Sequence, residues 1–142
     1  MSGTFPTLRA EANNSRGTYT PPDLFAGESQ IVTNRALVLS GQNLARFTVV
    51  ALNANGKLVA HDPTATVAVS GGASGQTAPA PQSRIAGVLI DAVNASAGDV
   101  SAAYYSEGVF NHAALTWHAS LDTLEKRRNA CVGTKIDVAG LL

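Results

Sequence analysis

Cysteine, charge and aromatic rings are all scarce in this sequence. One cysteine, Cys131, stands among 142 residues. That excludes an intrachain disulfide and a multi-cysteine zinc site. Charged residues make up 14% of the chain, well under the usual share of about 25%. Ten basic residues balance ten acidic ones. A net charge of zero argues against a general nucleic-acid binder, which needs a basic surface to displace counterions from phosphates. It argues equally against a polybasic membrane-surface protein. No run approaches the ~18 consecutive apolar residues of a membrane span. Met1-Ser2-Gly3-Thr4-Phe5-Pro6 lacks the basic and apolar regions of a signal peptide. The expectation is a weakly charged, soluble chain made in a cytoplasm, with little self-repulsion to oppose association.

What is present is alanine and short β-rich runs. The hydrophobic fraction is 45%, but 24 of those residues are alanine. Ile, Leu, Val and Phe together number 34, enough for one modest core. Residues 1–28 read as a flexible N-terminal arm. Pro6, Pro21 and Pro22 interrupt it, Asn13-Asn14-Ser15-Arg16-Gly17 occupies its middle, and its apolar residues are scattered. Such a segment has too little apolar surface to offset the entropy of ordering it. Extended, it reaches ~90 Å at about 3.3 Å per residue. Tyr19 and Phe25 are unusual in a pure spacer.

From residue 29 to 142 the pattern is that of a β-rich domain. Gln30–Thr33, Ala36–Leu39 and Phe47–Leu52 read as strands, and Asn53-Ala54-Asn55-Gly56 as a turn returning through Lys57–Ala60. Residues 64–84 are low in complexity and carry no charge before Arg84. They read as a flexible loop, with a short strand at Val67–Val69. Loops of this length are either functional or inert. Ile85–Val93 reads as one apolar strand. Val100–Tyr105 and Val109–His112 read as hairpin legs about a turn at Ser106-Glu107-Gly108. One helix is indicated, with Ser120 as N-cap, Asp122 and Glu125 early, Lys126-Arg127-Arg128 late and Gly133 as its stop. Leu121, Leu124 and Cys131 fall on one face. Lys135–Val138 is a last short strand.

Few residues bear chemistry. His61-Asp62, His112 and His118 do not have the spacing of a metal site. Cys131 near a helix C-terminus is placed against thiolate formation and reads as a small core residue. Gly71-Gly72-Ala73-Ser74-Gly75 lacks the lysine and following helix of a phosphate loop. No nucleophile, base and oxyanion donors assemble. The expectation is no enzyme, no catalytic residue, no cofactor and no metal.

In order along the chain, several segments resemble one family. They are Lys57-Leu58-Val59-Ala60 with Asp62, Gly87-Val88-Leu89, Tyr104-Tyr105 with Gly108-Val109-Phe110, Trp117, Lys126-Arg127-Arg128, and Gly133-Thr134 with Ile136 and Val138. The set is similar to the head decoration proteins of lambda-like tailed phages, over about 80 residues interrupted by the 64–84 loop. His61 stands where that family's lambda member has Trp, and His118 where it has Pro.

The resemblance implies a mainly β fold, a small β-clip-like, partly open barrel with one short helix near the C-terminus. It implies a homotrimer on the threefold sites of the expanded head, stabilising it against DNA pressure. The partner would be the major capsid protein, with no nucleic acid and no membrane, and the place the capsid exterior. The arm would supply the contacts, with Tyr19, Pro21, Pro22, Leu24, Phe25, Ile31 and Val32 as the candidate residues. The alternative is a β-rich glycan- or surface-binding module of a virion, with Trp117, Tyr104 and Tyr105 as a stacking face. Packing into the core competes with that role for the same rings.

Overall fold

The computed structural model describes residues 24–27, 29–69, 71–72 and 74–140. Among the described residues there are ten strands and one α-helix. The strands are β1 (Val32–Val38), β2 (Asn43–Leu44), β3 (Val49–Leu52), β4 (Leu58–Ala60), β5 (Thr66–Ala68), β6 (Thr77–Pro79), β7 (Gly87–Leu89), β8 (Val93–Asn94), β9 (Val100–Asn111) and β10 (Ile136–Ala139). The helix, α1, is Leu124–Cys131. The expected fold class stands: mainly β, with one helix near the C-terminus.

The main sheet runs β1-β4-β3-β7-β9-β10, and β9 pairs again with β1. The sheet therefore curls round. Its β1–β4 seam holds only one register pair, parallel, Val38 with Leu58, so the barrel is partly open. At one end Asp99 ties three turns. Its carboxylate accepts from the Ser40 amide at 2.8 Å and from Lys57 Nζ at 2.6 Å. These bonds, Lys57 first, hold its carboxyl below the usual carboxylate range.

Two apolar clusters explain why several strands are apolar without alternation. Val50, Leu58, Leu89, Ala102 and Tyr104 face one cluster, with Val38, Leu44 and Ala95. Val49, Val88, Phe110, Ile136 and Val138 face the other, with Ile85, Leu115 and Cys131. Neighbours in sequence, Val49 and Val50 or Val88 and Leu89, thus point into different clusters. A strand buried on both faces needs a continuous apolar run. Strand β1 is covered on one face only, and it alternates: Ala36 and Val38 pack inward while Arg35 and Leu37 are exposed.

The structure corrects four local expectations. Ser106–Gly108 is not a turn, since β9 runs unbroken for 12 residues. Gly108 has φ 151°, and a Cβ there would lie 3.2 Å from the Phe110 ring. The glycine is there to let that ring rest on bare backbone. Second, Ile85–Val93 is not one strand. Only Gly87–Leu89 joins the main sheet, and Val93–Asn94 pairs with β2. Third, the 64–84 segment contains an antiparallel hairpin, with Thr66, Val67 and Ala68 opposite Pro79, Ala78 and Thr77. It returns through a 3-10 turn at Pro81–Ser83. Fourth, the helix cap is Thr123, whose hydroxyl accepts from the Lys126 amide at 3.2 Å, not Ser120. Leu121 is buried ahead of the helix rather than on it.

Gly87 marks the closest approach in the sheet. A Cβ at this position would collide with the Tyr105 carbonyl oxygen and come within 2.7 Å of the Tyr104 ring. Replacement Gly87→Ala must part β7 from β9. It is expected to cost about 3 kcal/mol, read as a lowered urea midpoint with an unchanged slope.

Candidate functional site

The candidate contact residues fall into two groups. Tyr19, Pro21 and Pro22 lie outside the described residues. Leu24, Phe25, Ile31 and Val32 lie along one edge of β9. Phe25 bridges Phe110 in antiparallel sense. The Ala26 amide donates to the Val109 carbonyl at 3.1 Å, and the Asn111 amide to the Leu24 carbonyl at 2.7 Å. Further along, Val32 pairs with Glu107, and a register irregularity follows between Val32 and Thr33. The other edge of this half of β9 carries β10, with Gly108 to Asn111 opposite Ile136 to Ala139.

Aromatic packing fixes Phe25 in place. Its ring meets Tyr105 edge-on at 5.4 Å and lies tilted against Phe110 at 5.4 Å. Tyr105 and Phe110 are themselves 5.7 Å apart. Three mutually touching rings give packing beyond their buried area. Leu24 packs against the same cluster. Ile31 is 44% exposed, with its Cγ1 near the bare backbone of Gly108. The pairing edge ends at Asn111, whose side chain accepts from the Ala113 amide at 3.1 Å and opens a 3-10 turn at His112–Ala114.

The aromatic residues of the alternative reading do not form one face. Tyr104 is buried in the first cluster and Tyr105 is packed against Phe25 in the second. Trp117 donates to the His112 carbonyl at 2.9 Å, and the Arg127 guanidinium covers its ring at 5.3 Å. These rings hold the core, so a glycan-stacking surface loses its basis.

The titratable groups are likewise engaged. His112 Nδ1 accepts from Arg127 at 2.9 Å. Burial, then Arg127 and Arg128, push its pKa below the ordinary value. Ser120, His118 and Asp62 stand in a row, with Oγ 2.9 Å from Nδ1 and Nε2 3.5 Å from Oδ1. The Nδ1 atom also accepts from the Ser120 amide at 3.2 Å. Both Ser120 contacts to Nδ1 come from two residues away, so this end of the row reads as a local turn. Cys131 is buried, and burial, followed by Asp137, pushes its thiol up to about 12. Among the described residues no three His, Cys, Asp or Glu side chains converge to hold a metal ion.

Sequence reasoning missed two arrangements. The Phe25–Tyr105–Phe110 cluster joins residues far apart in the chain, and only the aromatic at 25 hinted at it. The approach of His118 to Asp62 had no signal at all.

A family model described as bacteriophage lambda head decoration protein D matches residues 16–137. No curated protein matches the chain.

Two outcomes follow from the geometry. Phe25→Ala removes a half-buried ring and is expected to cost about 2 kcal/mol of stability, read by thermal or urea unfolding. Cys131, as a buried neutral thiol, is expected to resist alkylation in the native protein and to react only in denaturant, followed by intact mass.

Proposed function

The chain belongs to the family of bacteriophage lambda head decoration protein D, a phage capsid decoration protein by that membership, and from this premise we propose how it binds. Three copies form a homotrimer. The trimer occupies the threefold sites of the expanded head and contacts the major capsid protein. The N-terminal arm makes the contact, with Tyr19, Pro21 and Pro22 upstream and the exposed Ile31 further along the same edge of β9. Leu24, Phe25 and Val32 root the arm on β9.

The observation that carries this reading is the anchoring of Phe25 at the end of a sheet edge. Leu24–Ala26 already bond to β9 around one antiparallel bridge at Phe25, and β9 stops at Asn111. A strand continuing upstream from Leu24 must find its next edge elsewhere. In this proposal the capsid shell supplies that edge, and the arm adds to it by backbone hydrogen bonds.

The energetics favour three arms over one. Ordering an arm costs free energy, so a single arm binds weakly. Once one arm is seated, the others act at high effective concentration, and the trimer binds tightly. A protein that binds only the expanded shell stabilises that shell by linkage, which opposes DNA pressure. No chemical step enters. The low charge of the surface suits a protein whose partners are other protein surfaces.

The test is removal of residues 1–23, ending before the anchored Leu24 and Phe25. Light scattering is expected to show an intact trimer. Co-sedimentation with expanded shells is expected to be lost, while the full chain binds expanded shells and ignores unexpanded ones. Full decoration by the truncated protein, or a monomeric full chain, defeats the reading.

A further inference from the structure

The buried group that the decoration role leaves unexplained is His61. It is 3% exposed and follows β4 directly. Its Nε2 lies 3.0 Å from the Ser83 carbonyl oxygen. Its Nδ1 is buried without a hydrogen-bond partner. One arrangement suits both atoms: a neutral ring with the proton on Nε2, donating to Ser83, and a bare lone pair on Nδ1. Adding a proton to Nδ1 creates a charged donor with no acceptor inside the protein, which is costly.

His61 sits at the base of the segment that leaves the barrel. The hairpin β5–β6 has three register pairs and exposed residues along both strands. Such a short ribbon depends on its base. Three contacts close that base, and a fourth braces the 3-10 turn within the returning limb. They are His61 to the Ser83 carbonyl, the Asp62 amide to the Gln82 carbonyl at 3.1 Å, the Ala80 amide to the Ala65 carbonyl at 2.9 Å, and Ser83 Oγ to the Ala80 carbonyl at 2.7 Å. Only the first depends on a group that titrates near neutral pH.

The charged surroundings are Asp62 on the same strand end and His118 from the segment after Trp117. Ser83 contributes its carbonyl dipole from the 3-10 turn. The Asp62 carboxylate already accepts from the Thr64 amide and hydroxyl at 3.0 and 2.7 Å and pairs with His118 at 3.5 Å. It makes no hydrogen bond to either ring nitrogen of His61. Burial is the largest influence and pushes the His61 pKa below its ordinary value. The Ser83 bond opposes this, His118 adds to it, and Asp62 opposes it.

We propose that His61 is a proton-sensitive clamp: the neutral ring holds the base of the β5–β6 hairpin closed, and a protonated ring releases the hairpin while the barrel stays folded. The direction follows from linkage. The closed form binds the proton less well than the open form, in which His61 has its ordinary affinity. Closure is therefore fully favoured above the ordinary histidine pKa of about 6.5 and weakens as the pH falls through and below it.

The test is hydrogen exchange of the full-length protein at about pH 7.5 and about pH 5, corrected for intrinsic rates. Protection of the Asp62 and Ala80 amides is expected to fall at least about tenfold at the lower pH, while amides of β9 keep theirs. The variant His61→Gln keeps an N–H for Ser83 but cannot take up a proton, so its protection is expected to be independent of pH. Unchanged protection in the natural sequence overturns the clamp. So does the same loss in His61→Gln, or a loss spread equally over β9. If that variant does not fold, ring-nitrogen NMR of the natural sequence decides. A neutral ring protonated on Nε2 and titrating below the ordinary range supports the clamp. Titration at or above that range overturns it.

Discussion

Strand β9 has both of its edges in use, and the rest of the structure depends on that. Its first half pairs with β1 on one side, from Val100 opposite Val38 to Glu107 opposite Val32. In the middle, Tyr104 and Tyr105 pair with Leu89 and Val88 of β7 on the other side. Its last residues pair with β10 on one edge and with the Leu24–Ala26 segment on the other. A one-residue slip of β9 would turn Tyr104 and Tyr105 each toward the other's cluster. Tyr104 fills one cluster and Tyr105 the other, so β9 sets the relation between the two cores. The bare α-carbon of Gly87 is a consequence, because β7 can approach the two tyrosines only without a side chain there.

That constraint also explains which parts of the sequence could be read. The β3–β4 hairpin was legible because Asn53 and Gly56 punctuate two apolar runs. Asn53 Oδ1 does accept from the Asn55 and Lys57 amides at 2.9 and 3.0 Å, as a local turn requires. Strand β9 was misread because Gly108 has the same local appearance as a turn glycine. Its true role is contact with a ring two residues away, supported by partners distant in sequence. Phe47 was read as the start of a strand. It occupies φ 60°, held there by its amide bond to Leu89 and the Thr116 amide to its carbonyl, both 3.0 Å. Tertiary hydrogen bonds override local preference at such a position. Of the β5–β6 hairpin only the first strand was legible, expected at Val67–Val69 and found at Thr66–Ala68. The hairpin concealed the rest for a different reason. Its alanines, threonines and glycines carry no period, and its strands bury almost nothing.

The candidate site divides along the same line. The expectation of an arm rests on composition, on prolines and scattered apolar residues, and residues 1–23 lie outside the described ones. The place of Phe25 is tertiary, because Tyr105 and Phe110 hold its ring. The histidines follow the tertiary rule as well. His61 looks like a loop residue beside a turn aspartate, yet the fold buries it and brings His118 to its neighbour.

Rooting an arm at Phe25 has a physical effect on how the arm can work. An arm joined by a loose linker samples a large volume, and the cost of bringing its end to a fixed target grows with linker length. Residues 24–26 are held on β9 by two backbone bonds and a three-ring contact. The chain upstream of Leu24 therefore starts from a fixed point, opposite Asn111 at the end of β9. The sequence places two prolines at 21 and 22, and a proline ring restricts its own φ in any conformation. A fixed root would reduce the entropy lost when the proposed arm meets an edge, raising the affinity of each contact without adding one. In the proposed trimer, three such arms would multiply the gain. In the proposed mode of binding, a chain with few charges and many alanines would hold a shell through the place at which it is fixed before it binds.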